Sequence, residues 1–519
     1  MSFSLSLWVA GLAGFVALSY EILWYRAYGI VSRSMPATFG WLLGAYLAGV
    51  ALGSLGSRAF CHDDARAERR RLLPVAVFVY LANVASFLVV PALARLVTSV
   101  KWQLSLPLVA LAAGLLGAVL PLASHFGIRP DDRAGARLSY VYVANIAGSS
   151  LGSLATGFLL LEHLSLRGAR VALSVAGLAL FALSGATATS TARGRLAVTG
   201  VAAVTLLATA ATSRAVFEQV HERLFFRKAF TADKRFDALV ENRHGVIAVT
   251  DGKVYGGGVY DGILNVGLRD DPNWVFRAYA LGAYHPAPKR VLMVGLASGA
   301  WARIIAGLPG VERLTVIEIN PGYLDLIPQV PIVAPVLKDP KIEIVIDDGR
   351  RYLQRHPGAR WDAIVMNTTW HWRGHSTNLL SAEFFEVVRA RLAPGGVFMF
   401  NTTLSEPVMK TAAVSFPHAQ RLYNFMVVSD APVVFDEARW RRTIEDYRMD
   451  GAPLLDPAGD AWDAKRMADL LYLPATLHRP PVWEGLESRE SLLARFGHLP
   501  TVTDDNMWCE WHPSDLEEE

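Results

Sequence analysis

Run length of apolar residues is what most limits how this chain can fold. A membrane-crossing helix needs about 20 mostly apolar residues. Seven stretches approach or exceed that length, near Leu5–Trp24, Ala37–Ser57, Leu73–Leu96, Leu104–His125, Leu138–Leu161, Val171–Thr187 and Leu196–Ala211. Past Ser213 the composition changes abruptly, and charged residues, Trp and Pro become common. The expectation is a membrane domain over residues 1–213 and a soluble remainder. The apolar run continues into further spans without a basic n-region, so the start does not read as a cleavable signal.

Basic residues in the short loops set orientation. Arg66, Arg69, Arg70 and Arg71, then Arg129, Arg133 and Arg137, then Arg193 and Arg195 share one side. Arg26, Arg33, Arg95, Lys101, Arg167 and Arg170 lie on the other. The first set is richer, which makes it cytoplasmic and puts the soluble part outside the cytoplasm of a multi-pass inner (plasma) membrane protein. The margin is one loop, and a miscounted helix reverses it. Gly49 with Gly53 and Gly148 with Gly152 have the spacing of close helix packing. Asn83 and Asn145 suit hydrogen bonds between helices. Glu21, near the end of the first span, fits either an interfacial pair with Arg26 or the wall of a substrate site at the membrane surface.

A net charge of +3 on 519 residues gives no reason to expect nucleic acid. Two cysteines, Cys61 and Cys509, form no disulfide framework and no zinc pattern.

Residues 214–287 read as a charged, helical linker followed by a small β subdomain. Gly245–Thr250 alternates and meets the turn pair Asp251-Gly252, and Asp261-Gly262 is a second turn. Over residues 288–430, strand-like runs alternate with helical ones. Arg290–Val294 runs into Gly295-Leu296-Ala297-Ser298-Gly299. Leu314–Ile317 ends in Glu318, Ile342–Ile346 in Asp347-Asp348-Gly349, and Ala363–Met366 in Asn367; Gly396–Phe400 is a fifth run. Polar residues at each carboxyl end are where open α/β sheets bind ligands, and an acid about 20 residues after a glycine turn can hold a ribose. The fold class expected is a multi-span helical membrane domain followed by an α/β Rossmann-like domain, with a small β-hairpin subdomain between them and a helical extension over residues 431–519.

Trp370, His371, Trp372, Arg373 and His375 follow the fourth of these strands. Aromatic faces with His and Arg suit a sugar, a phosphate or another anion. His371 or His375 would serve as a general base, since histidine titrates near neutral pH. The rival reading is a packed loop in which Trp370 and Trp372 fill the crevice. No carboxylate completes a metal set there, and no metal is expected. Asp504 and Asp505 would either supply an acid or cap a terminal turn.

These residues resemble the spermidine synthase family (polyamine aminopropyltransferases), in particular its membrane-fused members. The resemblance rests on Ala17–Arg26, Tyr260-Asp261-Gly262, Val294–Gly299, Val316–Asn320, Asp348-Gly349-Arg350 and Thr503–Asn506. It implies decarboxylated S-adenosylmethionine, or S-adenosylmethionine itself, as the bound nucleotide. Glu318 would hold its ribose, Asp348 would contact its adenine, and Gly295 with Gly299 would line its sulfonium tail; Ser298, Gly349 and Asn367 at the same strand ends are further cofactor-binding candidates. Read from their own chemistry, Tyr260, Asp261, Trp370 and Trp372 are candidates to face the second substrate, and His371, Arg373, His375, Asp504 and Asp505 to serve the chemistry. The chain departs from the family where the family keeps acids. Leu296-Ala297-Ser298 lacks the aspartate of the glycine motif, Asn367-Thr368-Thr369-Trp370-His371 replaces an Asp-rich loop, Asn265 stands near a family Gln, and Arg277 occupies the last acid of a helix signature. A diamine is a dication and needs carboxylates to bind it and take its proton, so a simple diamine fits poorly. Three functions follow as rivals: a membrane-bound transferase using an adenosyl nucleotide on a small or membrane-associated substrate, an extracytoplasmic enzyme acting on envelope glycans or lipid-linked sugars without that nucleotide, and a non-catalytic sensor or scaffold.

Overall fold

The computed structural model describes residues 1–61, 73–189, 191–367, 370–477 and 485–512. Arg66, Arg69, Arg70 and Arg71, Thr368 and Thr369, and the acidic end Glu517-Glu518-Glu519 lie outside the described residues. The chain divides into two units, Met1–Phe236 with Glu241–Val246, and Asp237–Val240 with Ile247–Glu519.

Among the described residues of the first unit, seven helices are long and apolar enough to cross a membrane: Phe3–Val31, Ala37–Phe60, Leu73–Leu96, Trp102–Gly127, Ala134–His163, Leu166–Ala188 and Ala192–Val216. Each takes in one of the seven stretches read from the sequence. The fourth breaks between Leu106–Gly117 and Val119–Gly127. Pro121 has no N–H for the carbonyl four residues back, which explains the break. The glycine pairs are needed for close approach: a Cβ on Gly53 would sit 1.8 Å from the Gly114 carbonyl oxygen, and one on Gly148 1.8 Å from that of Gly11. Both asparagines bridge helices. Asn83 accepts from Tyr20 and donates to the Ser174 carbonyl at 3.3 Å, and Asn145 donates to the Ala10 carbonyl at 3.0 Å. Arg26 donates to the Asn242 carbonyl, and among the described residues it makes no ion pair with Glu21. Glu241 accepts from the Leu166 N–H at 2.8 Å and faces His221 at 3.5 Å. Burial works to raise the Glu241 pKa, but His221, that N–H and Arg26 outweigh it and hold the carboxyl below its ordinary range.

In the second unit, β1 (Ala238–Asn242), β2 (Gly245–Thr250), β3 (Lys253–Gly256) and β4 (Val259–Ile263) form a four-stranded sheet in that order; the turn joining β1 to β2 belongs to the first unit. The larger sheet uses β5 (Arg290–Val294), β6 (Arg313–Glu318), β7 (Ile342–Ile346), β8 (Trp361–Met366), β9 (Leu392–Asn401), β10 (His418–Leu422) and β11 (Phe425–Ser429). A short ribbon, β12 (Arg448–Met449) with β13 (Ala452–Pro453), stands apart, and β14 (Leu486–Ser488) completes the eight strands of the large sheet. Its order is β14-β10-β11-β9-β8-β5-β6-β7. Neighbours from β9 to β7 are parallel and the rest antiparallel.

Strands buried on both faces read as unbroken apolar runs. Along β5, Val291 and Met293 enter the core on one face, Leu292 and Val294 the core on the other, the two-residue period of a strand. The chain runs outward from β5 through β6 to β7, then returns to the opposite side of β5 as β8. This reversal opens a crevice between the carboxyl ends of β5 and β8, the position where open sheets take ligands.

Candidate active site at the carboxyl edge of the large sheet

After β5 the backbone turns through two glycines in the left-handed region, Gly295 at φ +91° and Gly299 at φ +77°. Side chains rarely adopt that conformation, and Gly299 is also hemmed in, since a Cβ there would lie 3.2 Å from Ile327 Cδ1. The turn is held by Glu318 at the end of β6. Its Oε2 accepts from the N–H groups of Leu296 (2.8 Å) and Ala297 (3.3 Å), and Oε1 from that of Asn320 (2.8 Å). The carboxyl is 4% exposed. Burial raises its pKa, the three backbone donors pull the other way, and the charge on Asp261 adds to the rise. A carboxylate has about four acceptor sites, so three backbone donors leave room for one more, such as a ribose hydroxyl.

Asp348 caps the helix Gly349–Arg355, accepting from the Arg351 N–H at 2.8 Å. Gly349 packs where a Cβ would come 2.6 Å from Val294 Cγ1, which brings this helix start against the end of β5. Ser298 is buried and lines up with β4: a Cβ on Gly262 would meet its Oγ at 3.6 Å. The neighbouring Asp261 accepts from the Tyr323 hydroxyl at 2.5 Å and faces Arg373 at 3.6 Å. Burial raises the Asp261 pKa, against the pull of Arg373 and Tyr323. Tyr260 donates to Asn273 Oδ1 at 2.5 Å.

Asn367, directly after β8, belongs to a row of amides. Asn401 Nδ2 donates to Asn367 Oδ1 at 3.0 Å, Asn424 Nδ2 donates to Asn401 Oδ1 at 2.9 Å, and Arg277 donates to Asn424 Oδ1. Arg277 also donates to the carbonyls of Trp274 and Asn273, and its guanidinium lies 4.8 Å from the Phe425 ring centre. Burial lowers its pKa to about 10. Where the resemblance places an acid, this chain therefore has a buried cation whose donors are spent inside the protein.

The loop after β8 separates the residues expected there. The rings of Trp370 and Trp372 stack with centres 6.1 Å apart, and Trp372 is buried. His371 is buried as well; its N–H and Nδ1 lie 3.0 and 2.8 Å from Thr403 Oγ1. His375 is exposed, with φ +71°, and its N–H donates to Glu510 at 2.9 Å. The two histidines thus lie in different surroundings. Asp504 forms a two-pronged pair with Arg350 at 2.8 and 2.6 Å and accepts from Ser381 Oγ, which caps the helix Ala382–Arg389. Arg350 holds the Asp504 carboxyl below its ordinary range. Asp505 is exposed. Glu318, Ser298 and Asp261 with Tyr323 and Arg373 therefore gather around the glycine turn, with Asn367 across the crevice; Asp504 is engaged elsewhere.

Sequence reasoning missed Tyr323, Thr403, Asn401 and Asn424. Asn401 ends β9 and was open to the same strand-end rule that found Glu318. Asn424 lies in the hairpin joining β10 to β11 and carries no such signal.

Residues 280–432 match the family described as Spermine/spermidine synthase domain. A polyamine aminopropyltransferase of Mycobacterium tuberculosis is 28% identical over 313 residues, covering 56% of this chain and 57% of that protein. Polyamine aminopropyltransferase 2 of Streptomyces coelicolor is 30% identical over 301 residues, covering 54% of this chain and 52% of that one. The chain thus spans somewhat more than half the length of these relatives. Among solved structures, the spermidine synthase of Thermotoga maritima superposes with a TM-score of 0.35 at 18% identity, over 45% of this chain and 88% of that one. The α/β part of this chain carries a spermine/spermidine synthase domain, and polyamine aminopropyltransferases are among its homologues.

Proposed function

We propose that the protein is a membrane-anchored transferase that binds an adenosyl nucleotide, S-adenosylmethionine or its decarboxylated form, and transfers to an acceptor other than a free diamine. The observation that carries the nucleotide is Glu318. It closes the glycine turn at the strand-order reversal, and with three of its roughly four acceptor sites filled it has capacity for one more donor, such as a ribose hydroxyl. The homology to aminopropyltransferases supports transfer from a sulfonium donor. In such a transfer the acceptor's lone pair forms a bond to the carbon next to sulfur, the carbon–sulfur bond breaks to leave a thioether, and the acceptor gives up a proton. Asp261 is the proton acceptor we assign. It is a buried carboxyl next to the turn whose pKa burial raises, which makes it a stronger proton acceptor than an ordinary aspartate. His371, taken up by Thr403, serves the loop instead.

The acceptor follows from charge. Arg373 faces Asp261, and where the resemblance calls for an acid Arg277 stands instead, three amides back from the crevice, so a dication meets one cation and finds one carboxylate fewer. A neutral or anionic acceptor, small or membrane-associated, suits Trp370 and Arg373 better. The test uses the full chain in detergent. Titration calorimetry with decarboxylated S-adenosylmethionine, S-adenosylmethionine and methylthioadenosine is expected to give saturable binding, and turnover with putrescine is expected to be absent. No binding of any adenosyl compound removes the proposal, and rapid putrescine consumption removes its acceptor half.

A further inference from the structure

The sixth span carries Arg170, which is wholly buried. Its Nη1 donates to the carbonyls of Ser86 and Phe87, both at 3.0 Å. The Phe87 carbonyl is the one that Pro91, four residues on in the third span, has no N–H to serve. Half of the guanidinium thus replaces a backbone bond lost to proline. The other half has no such account. Among the described residues, Arg170 Nε and Nη2 are buried without a hydrogen-bond partner, and so is the hydroxyl of Ser86, the residue whose carbonyl Nη1 holds. The rings of Tyr20 and Phe217 lie 5.9 Å from the guanidinium carbon, and no ion pair reaches it among the described residues.

A cation enclosed in a membrane bundle is costly unless its donors are met by carbonyls or by an opposite charge, and here carbonyls meet Nη1 alone. The open edge of a guanidinium, two N–H groups side by side, matches two oxygens of a phosphate or carboxylate. We propose that Arg170 Nε and Nη2, with Ser86 Oγ, bind one phosphate-type oxyanion inside the bundle, either a phospholipid headgroup or free phosphate. Arg170 lies four residues past Leu166, about 6 Å along the helix axis, within reach of the headgroup layer that borders the hydrocarbon core. This site is independent of the nucleotide crevice.

Full-length protein purified in detergent and washed free of loose lipid is expected to retain about one phosphorus per chain, and Arg170→Met to lose it. Ser86→Ala keeps the charge and the carbonyl contacts, so it stays informative if the Arg170 variant fails to fold. Removing one hydroxyl bond to a charged group should weaken binding about tenfold, read by thermal shift after delipidation. Dihexanoyl phosphatidylglycerol and inorganic phosphate are titrated separately. A shift with the lipid alone identifies a headgroup site and a shift with phosphate a free-anion site, and either supports the proposal. Phosphorus-free wild type that responds to neither ligand, the donors meeting only water, overturns it. So does a Ser86→Ala variant that binds like wild type.

Discussion

Replacing Glu318 separates the job its carboxylate performs, holding the glycine turn, from the one proposed for it, receiving a ligand. In Glu318→Ala, the N–H groups of Leu296, Ala297 and Asn320 lose their acceptor in a site that is 4% exposed. A buried donor left unpaired costs about 1–3 kcal/mol, so the variant should lose about 3 kcal/mol or more, with water entering the space left behind limiting the total. For a unit of this size that is a fall in Tm of about 6–12 °C. Glu318→Gln behaves differently. Its amide oxygen can keep Leu296 and Ala297, leaving only the Asn320 N–H facing an NH2 group. Burial already pushes the Glu318 pKa up despite three donors, so the neutral side chain also escapes the desolvation that the carboxylate suffers. The net loss should stay near 1 kcal/mol. The assay is thermal unfolding of the full chain in detergent by tryptophan fluorescence, paired with calorimetric binding of methylthioadenosine. Both variants should lose nucleotide affinity, Ala more than Gln. If Ala melts with the wild type, the turn does not depend on this carboxylate. If Gln falls as far as Ala, charge rather than oxygen placement holds the turn.

Asp261→Asn should leave nucleotide binding within about threefold of wild type while transfer falls by 10²-fold or more, the scale of a lost general base; calorimetry and product analysis by mass spectrometry check the two halves. Asp504→Asn should soften the acid limb of the stability profile. The Asp504 pKa is lowered in the folded state, so its contribution is present above the ordinary aspartate range and lost as pH falls through the lowered value. Melting temperature followed from neutral pH downward should fall less steeply in the variant. Glu318 and Asp261 have raised pKa values, so what they contribute is complete below the ordinary carboxyl range and lost as pH rises through the raised values. Glu318→Gln should therefore flatten the slope on that side, read from the same melts. A phosphatase reporter fused after Glu519 is expected to be active, and a fluorescent cytoplasmic reporter there dark, if the loop arginines set the orientation; the opposite pattern reverses it.

The membrane helices and the parallel strands β5 to β9 were legible because each rests on a local pattern that packing does not alter; β10, β11 and β14 were not read from the sequence. Seven apolar runs have the length and composition to cross a bilayer, and Val291–Val294, a short apolar run ending in a glycine turn, reads as a strand buried on both faces. Glu318 was legible for the same reason, being the last residue of a strand in a sheet whose order is set by its crossovers. Partnership was not legible. Arg350 and Asp504 are far apart in sequence and meet only because the C-terminal segment lies against the helix after β7, so an acid read as a possible catalyst is engaged in an ion pair. The row from Arg277 to Asn367 spans the helix before β5, the β10–β11 hairpin and the ends of β9 and β8. No spacing rule connects those four positions. Arg170 was counted only as a loop charge, and its place beside Pro91 depends on how two spans pack.

That row also bears on what the departures from the family mean. A domain that had merely lost its acids would be expected to leave a cavity or unpaired donors where they stood. Here Arg277 has carbonyl, amide and aromatic partners, and the amides beyond it are bonded one to the next up to the crevice. A buried polar row in which each member has a partner rigidifies a site, whereas a half-satisfied one destabilises it. Rebuilding in this form favours a site kept for a different acceptor over one drifting out of use. The distinction can be measured: Arg277→Glu, which restores the acid at that position alone, should destabilise the domain through Asn424 and the Asn273 and Trp274 carbonyls and should not create putrescine turnover. A stable variant that turns over putrescine would mean that one charge, and not the whole row, sets the acceptor.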